Sequence, residues 1–366
     1  MDPYAELGVS RVINASGMMT ALGGSTITAQ VGQAMAHAGQ QQVVVEELQR
    51  RAGAEIARLL GADAAMVTTG AASGIALMVA ALVAGSDMTR VEALPDPGDA
   101  PHEIIIQAGH VVNFGAPVRQ MVAIGGGKAR PIGATNQVHE SHLTGAVNAD
   151  TAGVLFVQSH HCVQKGMLSL RRVIDLCHER AVPVILDAAA EEDLRGFATS
   201  GVDLVTFSGG KAIGGPASGI IAGRADLIEA CRAQLSGIGR PMKVGKEAII
   251  GLVTALNDYV NRDLTVIRER QREIVDYLLS AFAAIPGVQT RRLDDEAGRG
   301  IQRAALELSP DRALELARYL RSGEPPIYPR GHLLNLGLVA LDPRPLSMED
   351  AAIIVSRVEA FFAGAR

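Results

Sequence analysis

Two apolar stretches separated by a helical one decide the fold: Thr151-Ala152-Gly153-Val154-Leu155-Phe156-Val157-Gln158 and Val182-Pro183-Val184-Ile185-Leu186-Asp187. Between them, residues 170–180 carry apolar side chains at helical spacing. A strand that is apolar at nearly every position, rather than at alternate ones, is buried on both faces. That is the condition of a parallel sheet covered by helices. The alternation extends outward, with strands expected at 64–68, 103–107, 120–123, 203–207 and 219–223. Helices are expected at 46–60, closed by Gly61, and at 75–83. A long helix follows over 246–284, broken near Asn257 if anywhere. Beyond Pro286 the pattern shortens to strands at 288–293, 304–308 and 333–338, with helices at 311–321 and 347–363. The expectation is an N-terminal arm over 1–45 and a large α/β domain over 46–245 with a mostly parallel mixed sheet. A linking helix and a smaller α+β domain complete the chain over 246–366.

Composition excludes several classes of function. The 366 residues suit two domains, and a net charge of −5 with both signs interspersed leaves no basic footprint for nucleic acid. The three cysteines, Cys162, Cys177 and Cys231, have neither metal nor disulfide spacing. No apolar span approaches the roughly 20 residues of a membrane helix. We expect a soluble cytoplasmic protein with no metal, no nucleic acid and no membrane partner.

The chemistry is concentrated at strand ends. Asp187 closes an apolar strand, where a carboxylate is poorly solvated unless a cation faces it. Lys211 follows 24 positions later, behind Thr206-Phe207-Ser208-Gly209-Gly210, and is one of only five lysines in the chain. A lysine amine forms a Schiff base with an aldehyde, and a buried carboxylate keeps a pyridine nitrogen protonated. The pair therefore suits pyridoxal 5′-phosphate (PLP). Thr69-Gly70-Ala71, between a strand and a helix, and Ser208 give a phosphate hydroxyls and backbone amides, as does the Gly214-Gly215-Pro216 loop. His110 follows a strand and either stacks on a flat ring or is an ordinary loop residue. His160 and His161 also follow a strand; adjacent on extended chain they point apart, a poor metal pair but a source of one contact to cofactor or substrate. Lys165 nearby, the Arg240-Pro241-Met242-Lys243 cluster and Arg330 are the candidates for binding anionic substrate groups.

With those residues in place, the chain resembles the fold-type I PLP-dependent transferases, in the branch around bacterial selenocysteine synthase (L-seryl-tRNA selenium transferase). The resemblance rests on Val12-Ile13-Asn14-Ala15-Ser16-Gly17, Thr69-Gly70-Ala71-Ala72, Leu186-Asp187-Ala188 and Ser208-Gly209-Gly210-Lys211 with Gly214-Gly215-Pro216 and Gly219. Within that branch, Ser159-His160-His161-Cys162-Val163-Gln164-Lys165-Gly166-Met167-Leu168-Ser169 is most similar to the D-glucosaminate-6-phosphate ammonia-lyases. The resemblance implies Lys211 as the Schiff-base lysine, Asp187 as the partner of the pyridine nitrogen, and Thr69, Gly70, Ala71 and Ser208 around the phosphate. It also implies sites shared within a homodimer or higher homo-oligomer. The tRNA-using members carry an additional N-terminal domain, whereas the Val12-Ile13-Asn14 motif here begins at residue 12, so a small-molecule substrate is expected.

The expected reaction is loss of the β-hydroxyl from a 2-amino-3-hydroxy acid, an amino acid or amino sugar acid such as D-glucosaminate 6-phosphate, to give a 2-oxo acid and ammonia. Lys211 would take the Cα proton, and a histidine, His110 or His161, would assist the leaving hydroxyl. His160, Lys165, Arg240, Lys243 and Arg330 would hold the substrate. The same residues support a racemase or epimerase, or an aldolase. Selenium transfer and a non-catalytic binding protein of this fold are further alternatives.

Overall fold

A computed structural model describes residues 2–296 and 298–364. The chain forms two compact units, Ile27–Asn261 and the combination of Met1–Thr26 with Arg262–Arg366. Residues 27–45 and the helix Lys246–Asn261 thus belong to the larger unit, where the sequence alone assigns them to the arm and to the smaller domain. The reason is burial: Ile249, Leu252, Ala255 and Leu256 of that helix enter the same core as Ile56 and Val205. The expected single helix over 246–284 is two helices. The second, Leu264–Ala283, starts behind Asp263, whose carboxylate accepts the Thr265 and Val266 amides.

The larger unit is built on seven strands: β1 (Ala64–Thr68), β2 (Glu103–Gln107), β3 (Lys128–Ile132), β4 (Thr151–Val157), β5 (Val184–Asp187), β6 (Leu204–Ser208) and β7 (Gly219–Gly223). Their spatial order is β1-β7-β6-β5-β4-β2-β3. The run from β3 to β6 is parallel, and β7 runs antiparallel to both of its neighbours. Alternate side chains leave opposite faces. Met66, Ile104, Leu155, Ile185 and Ile221 meet the helix Ala71–Ala84, while Val67, Ile105, Phe156, Leu186 and Phe207 meet the helices Val45–Leu60, Leu170–His178 and Lys246–Asn261. The mostly parallel mixed sheet expected from the sequence is present.

Three local expectations are corrected. Residues 120–123 are not a strand but part of the helix Val118–Ile124, which starts after Pro117 and buries Val118 and Val122 four apart. The outer strand β3 was not expected, because the run carries Lys128, Arg130 and Pro131 and, as a sheet edge, leaves Lys128 and Pro131 exposed. Over 333–338 the chain makes a 3-10 turn, Leu334–Leu336, and the strand Leu338–Leu341 begins only after Gly337, whose φ of 79° is left-handed.

The smaller unit is α+β, as expected. An antiparallel sheet of Gln289–Asp294, Gln302–Glu307 and Leu338–Leu341 packs with the helices Leu264–Ala283, Pro310–Ser322 and Met348–Ala363. The N-terminal segment joins it through a parallel pairing of Ile13–Ala15 with Ile327–Pro329.

Candidate active site

The C-terminal ends of β2, β4, β5 and β6 open on one edge of the sheet. The end of β1 joins them, because Gly219 of β7 pairs with both Thr68 and Ser208. In open α/β sheets ligands bind at this edge. Asp187 ends β5 between Val157 of β4 and Thr206 of β6. Its carboxylate is 5% exposed and makes no ion pair among the described residues; Oδ1 accepts the Ala189 N–H at 3.0 Å. Burial pushes its pKa up to about 6, and that amide and the nearby Lys211 ammonium oppose the shift without cancelling it.

Lys211 lies half-buried in the turn after β6. The turn is tied by Gly209 N–H to Ser218 O at 2.8 Å, Gly214 N–H to Lys211 O at 3.1 Å and Gly215 N–H to Gly209 O at 2.8 Å. A Cβ on Gly209 would lie 2.2 Å from Ser218 Oγ, so only glycine lets the turn close. Gly215 contributes to the turn itself, since its amide is committed to Gly209 O.

The helix Ala71–Ala84 begins at the end of β1 with no side-chain cap on its first amides. The Thr69 hydroxyl donates to Ser73 Oγ at 2.9 Å, and Ser73 in turn donates to Gly70 O at 2.7 Å. A Cβ at Gly70 would meet nothing within 4 Å, whereas one at Gly74 would stand 2.2 Å from Thr206 Oγ1. The helix start is therefore pressed onto β6 beside Ser208 and leaves space at Gly70. Uncapped amides at a helix start suit a phosphate.

His110 is fully buried after β2. Its Nδ1 accepts the Val157 N–H at 3.3 Å, and its ring meets Phe156 edge-on with centroids 4.5 Å apart. Nε2 is buried with no well-formed hydrogen bond. Burial lowers its pKa to about 4, only weakly opposed by the Gln164 side chain, so the ring is neutral near pH 7. His160 and His161 stand with ring centroids 4.0 Å apart and planes tilted by 40°, on an irregular loop that also carries exposed Lys165.

Arg240 and Lys243 are exposed and line a cavity of about 860 Å³ together with Arg50, Arg232 and Ser86. Ser86 follows the far end of the helix Ala71–Ala84, and the lining includes none of Asp187, His110 or Lys211. The structure thus gathers Asp187, Lys211, His110, Ser208 and the 69–71 turn at one strand edge, and places Arg240 and Lys243 around a different cavity. Arg330 lies in the smaller unit, 5% exposed. Its Nη2 is 3.1 Å from His332 Nε2, and its guanidinium is 3.7 Å from Glu296 and 3.8 Å from Asp342.

The family model of L-seryl-tRNA selenium transferase matches residues 12–296. The chain belongs to that family. A 5′-C-glycyluridine monooxygenase-decarboxylase from a Streptomyces species is 43% identical over 97% of this chain and 91% of its own length. The D-glucosaminate-6-phosphate ammonia lyase of Salmonella typhimurium is 40% identical over 97% and 96%. A solved D-glucosaminate-6-phosphate ammonia-lyase superposes with a TM-score of 0.91, at 40% identity, across 100% of both chains. Serine palmitoyltransferase of Sphingomonas wittichii, a fold neighbour only, superposes at 0.61 with 14% identity, covering 95% of this chain and 86% of its own. The α/β architecture is thus that of the fold-type I enzymes, and the resemblance read from the motifs holds.

Sequence reasoning missed three residues here. The Cys162 thiol is pushed up to about 12, first by burial and then by the Asp187 carboxylate nearby. Phe156 packs edge-on against His110. Gln107 pairs with the backbone of Leu168. Only Gln107 carried a signal, as a polar residue closing the apolar run Ile104-Ile105-Ile106. Among the described residues, no helix is long and apolar enough to cross a membrane, and no group of three or more His, Cys, Asp or Glu stands together as a metal site.

Proposed function

We propose that this chain is a PLP-dependent ammonia-lyase. It would eliminate the β-hydroxyl of a 2-amino-3-hydroxy sugar acid such as D-glucosaminate 6-phosphate, working as a cytoplasmic homodimer or higher homo-oligomer. The observation that carries the reading is the full-length match, in sequence and in fold, to an ammonia-lyase of that name. The site supports PLP on its own terms. A fully buried carboxylate held without an ion pair is costly unless a ligand brings the cation. The buried Nε2 of His110, with no well-formed hydrogen bond, and the open, uncapped helix start at Gly70 are two further features that fit the cofactor.

Lys211 would hold the cofactor's aldehyde, Asp187 its pyridine nitrogen, and Thr69, Gly70, Ala71 and Ser208 its phosphate, with His110 neutral beside the ring. When bound, PLP supplies an acceptor for the electron pair left at the substrate Cα. Lys211 Nζ would take the Cα proton. Asp187, kept ionised by a cationic partner, would favour that transfer by keeping the pyridine nitrogen protonated. The neutral imidazole of His110 accepts from Val157 through Nδ1, so its remaining proton sits on Nε2. His161 is the candidate to protonate the departing β-hydroxyl, and His160 and Lys165 the candidates to bind substrate. Arg240, Lys243 and Arg330 remain candidates for the substrate's anionic ends.

A second reading is monooxygenation with decarboxylation, the activity named for the Streptomyces relative, and the 43% identity over nearly the whole chain favours it. Incubation with D-glucosaminate 6-phosphate, following ammonia, 2-oxo acid, oxygen and carbon dioxide together, separates the two. The lyase reading expects ammonia and 2-oxo acid in equal amounts with oxygen untouched. Oxygen uptake with carbon dioxide release overturns it, and so does racemisation or retro-aldol cleavage without ammonia.

A further inference from the structure

The loop that carries His160, His161 and Lys165 has no regular secondary structure between β4 and the helix Leu170–His178. Fixing an irregular backbone costs conformational entropy at every residue, so its shape depends on specific attachments. Four are present. The Cys162 thiol donates to Val157 O at 3.4 Å. Val163 N–H donates to Gly109 O at 3.0 Å, and Val138 N–H donates to Gly166 O at 2.8 Å. The fourth is a side chain acting as a strand: Gln107 Oε1 accepts Leu168 N–H at 2.7 Å while its Nε2 donates to Leu168 O at 3.1 Å.

Gln107 is 2% exposed at the end of β2, where an apolar side chain would satisfy burial equally well. An amide there needs a donor and an acceptor facing it, and a peptide unit supplies both. Two residues on, Gly109 completes the contact. A Cβ at that position would lie 2.8 Å from Met167 Sδ and 2.8 Å from Val163 O. The same short segment thus sets the turn leading to His110 and grips the loop on both sides of Lys165.

We propose that Gln107 is a positioning residue: with Gly109 it anchors residues 159–168 and so fixes where Lys165 meets the anionic group of the substrate. The anchoring stands on geometry alone; its consequence for substrate rests on the ammonia-lyase reading. Two variants test it by different routes. Gln107→Leu removes both hydrogen bonds at nearly constant volume, and Gly109→Ala pushes the loop away without touching Gln107.

In the cofactor-free protein, hydrogen exchange over 163–168 should speed up by at least about tenfold in each variant, while the amides of Ile104, Ile105 and Ile106 keep their rates. KM for D-glucosaminate 6-phosphate should rise about tenfold with kcat within about threefold, the mark of lost ground-state positioning. Unchanged exchange in the loop overturns the anchoring. Uniformly faster exchange across the larger unit overturns it too, by reducing Gln107 to a general staple. Faster loop exchange with an unchanged KM overturns the link to substrate. If the wild-type protein does not consume this substrate, the ammonia-lyase reading has failed, and the exchange result alone still decides the anchoring.

Discussion

Two buried aspartates behave in opposite ways. In the smaller unit, Asp342 is fully buried, yet its pKa falls to about 2, because Arg344 and Arg303 more than offset the cost of burial. Arg344 grips it with both arms of its guanidinium at 2.9 Å, and Arg303 Nε adds a bond at 2.9 Å. In the larger unit, Asp187 is just as deep and its pKa rises to about 6, since burial outweighs one backbone amide and the charge of the nearby Lys211. The first carboxylate is supplied with its countercharge by the chain. The second is left short of one, at the strand edge where ligands bind. A charge that the fold does not neutralise is a reservation for a ligand that does.

Removing the partner on each side gives the largest effects. Lys211→Ala should lower kcat by at least about 10⁴-fold, because in the proposed function it deletes both the cofactor's anchor and the Cα base. Asp187→Asn should cost about 10²–10³-fold in kcat by weakening the charge that stabilises the carbanion. Steady-state kinetics measures both. Stability should move the other way for the two aspartates. In the cofactor-free protein at pH 7, Asp187→Asn should stabilise by about 2–3 kcal/mol by removing an unpaired buried charge. Asp342→Asn should destabilise by about 3 kcal/mol or more by leaving Arg303 and Arg344 without it. Denaturant unfolding of the two variants checks the contrast, and equal signs would break it.

The pH dependence sharpens it. A raised carboxyl pKa means that the folded state holds the proton longer, so the Asp187 penalty grows as pH rises from 3.8 through about 6. His110, lowered from 6.5 to about 4, works oppositely: its contribution is complete above 6.5 and is lost as pH falls toward 4. The two nearly cancel between pH 4 and 6 in the cofactor-free wild type. In Asp187→Asn, of these two slopes only the histidine's remains, so stability should fall steadily as pH is lowered from 6 to 4. A slope unchanged from wild type contradicts the assignment. Smallest of all, Cys162→Ser should leave kcat within about threefold. Its thiol, pushed up to about 12, is no nucleophile at neutral pH despite lying near Asp187.

The sequence made Asp187 and Lys211 visible because each breaks a local rule: a carboxylate ends an apolar strand, and a rare lysine follows two glycines. The βαβ alternation was equally readable, since strands buried on both faces leave continuous apolar runs. The run at 120–123 was not, because four apolar residues suit a short buried helix as well as a strand, and only the packing of Val118 and Val122 decides. The edge strand Lys128–Ile132 was hidden by the polar residues that keep an edge soluble. Gln107 and Leu168 are 61 residues apart, and the pairing of their polar groups exists only once β2 and the 159–168 loop are adjacent. Arg240 and Lys243 stand close together in the sequence, but the cavity they line is a property of the tertiary fold.

One measurement tests directly whether Lys211 and Asp187 hold PLP together. Protein reconstituted with PLP is reduced with borohydride at pH 7, digested, and the modified lysine is located by mass spectrometry in wild type and in Asp187→Asn. We expect the label on the Lys211 peptide alone, with tight, stoichiometric loading in wild type and loading at least about tenfold weaker in the variant. A label on any of the other four lysines, or equal loading of the two proteins, contradicts the assignment.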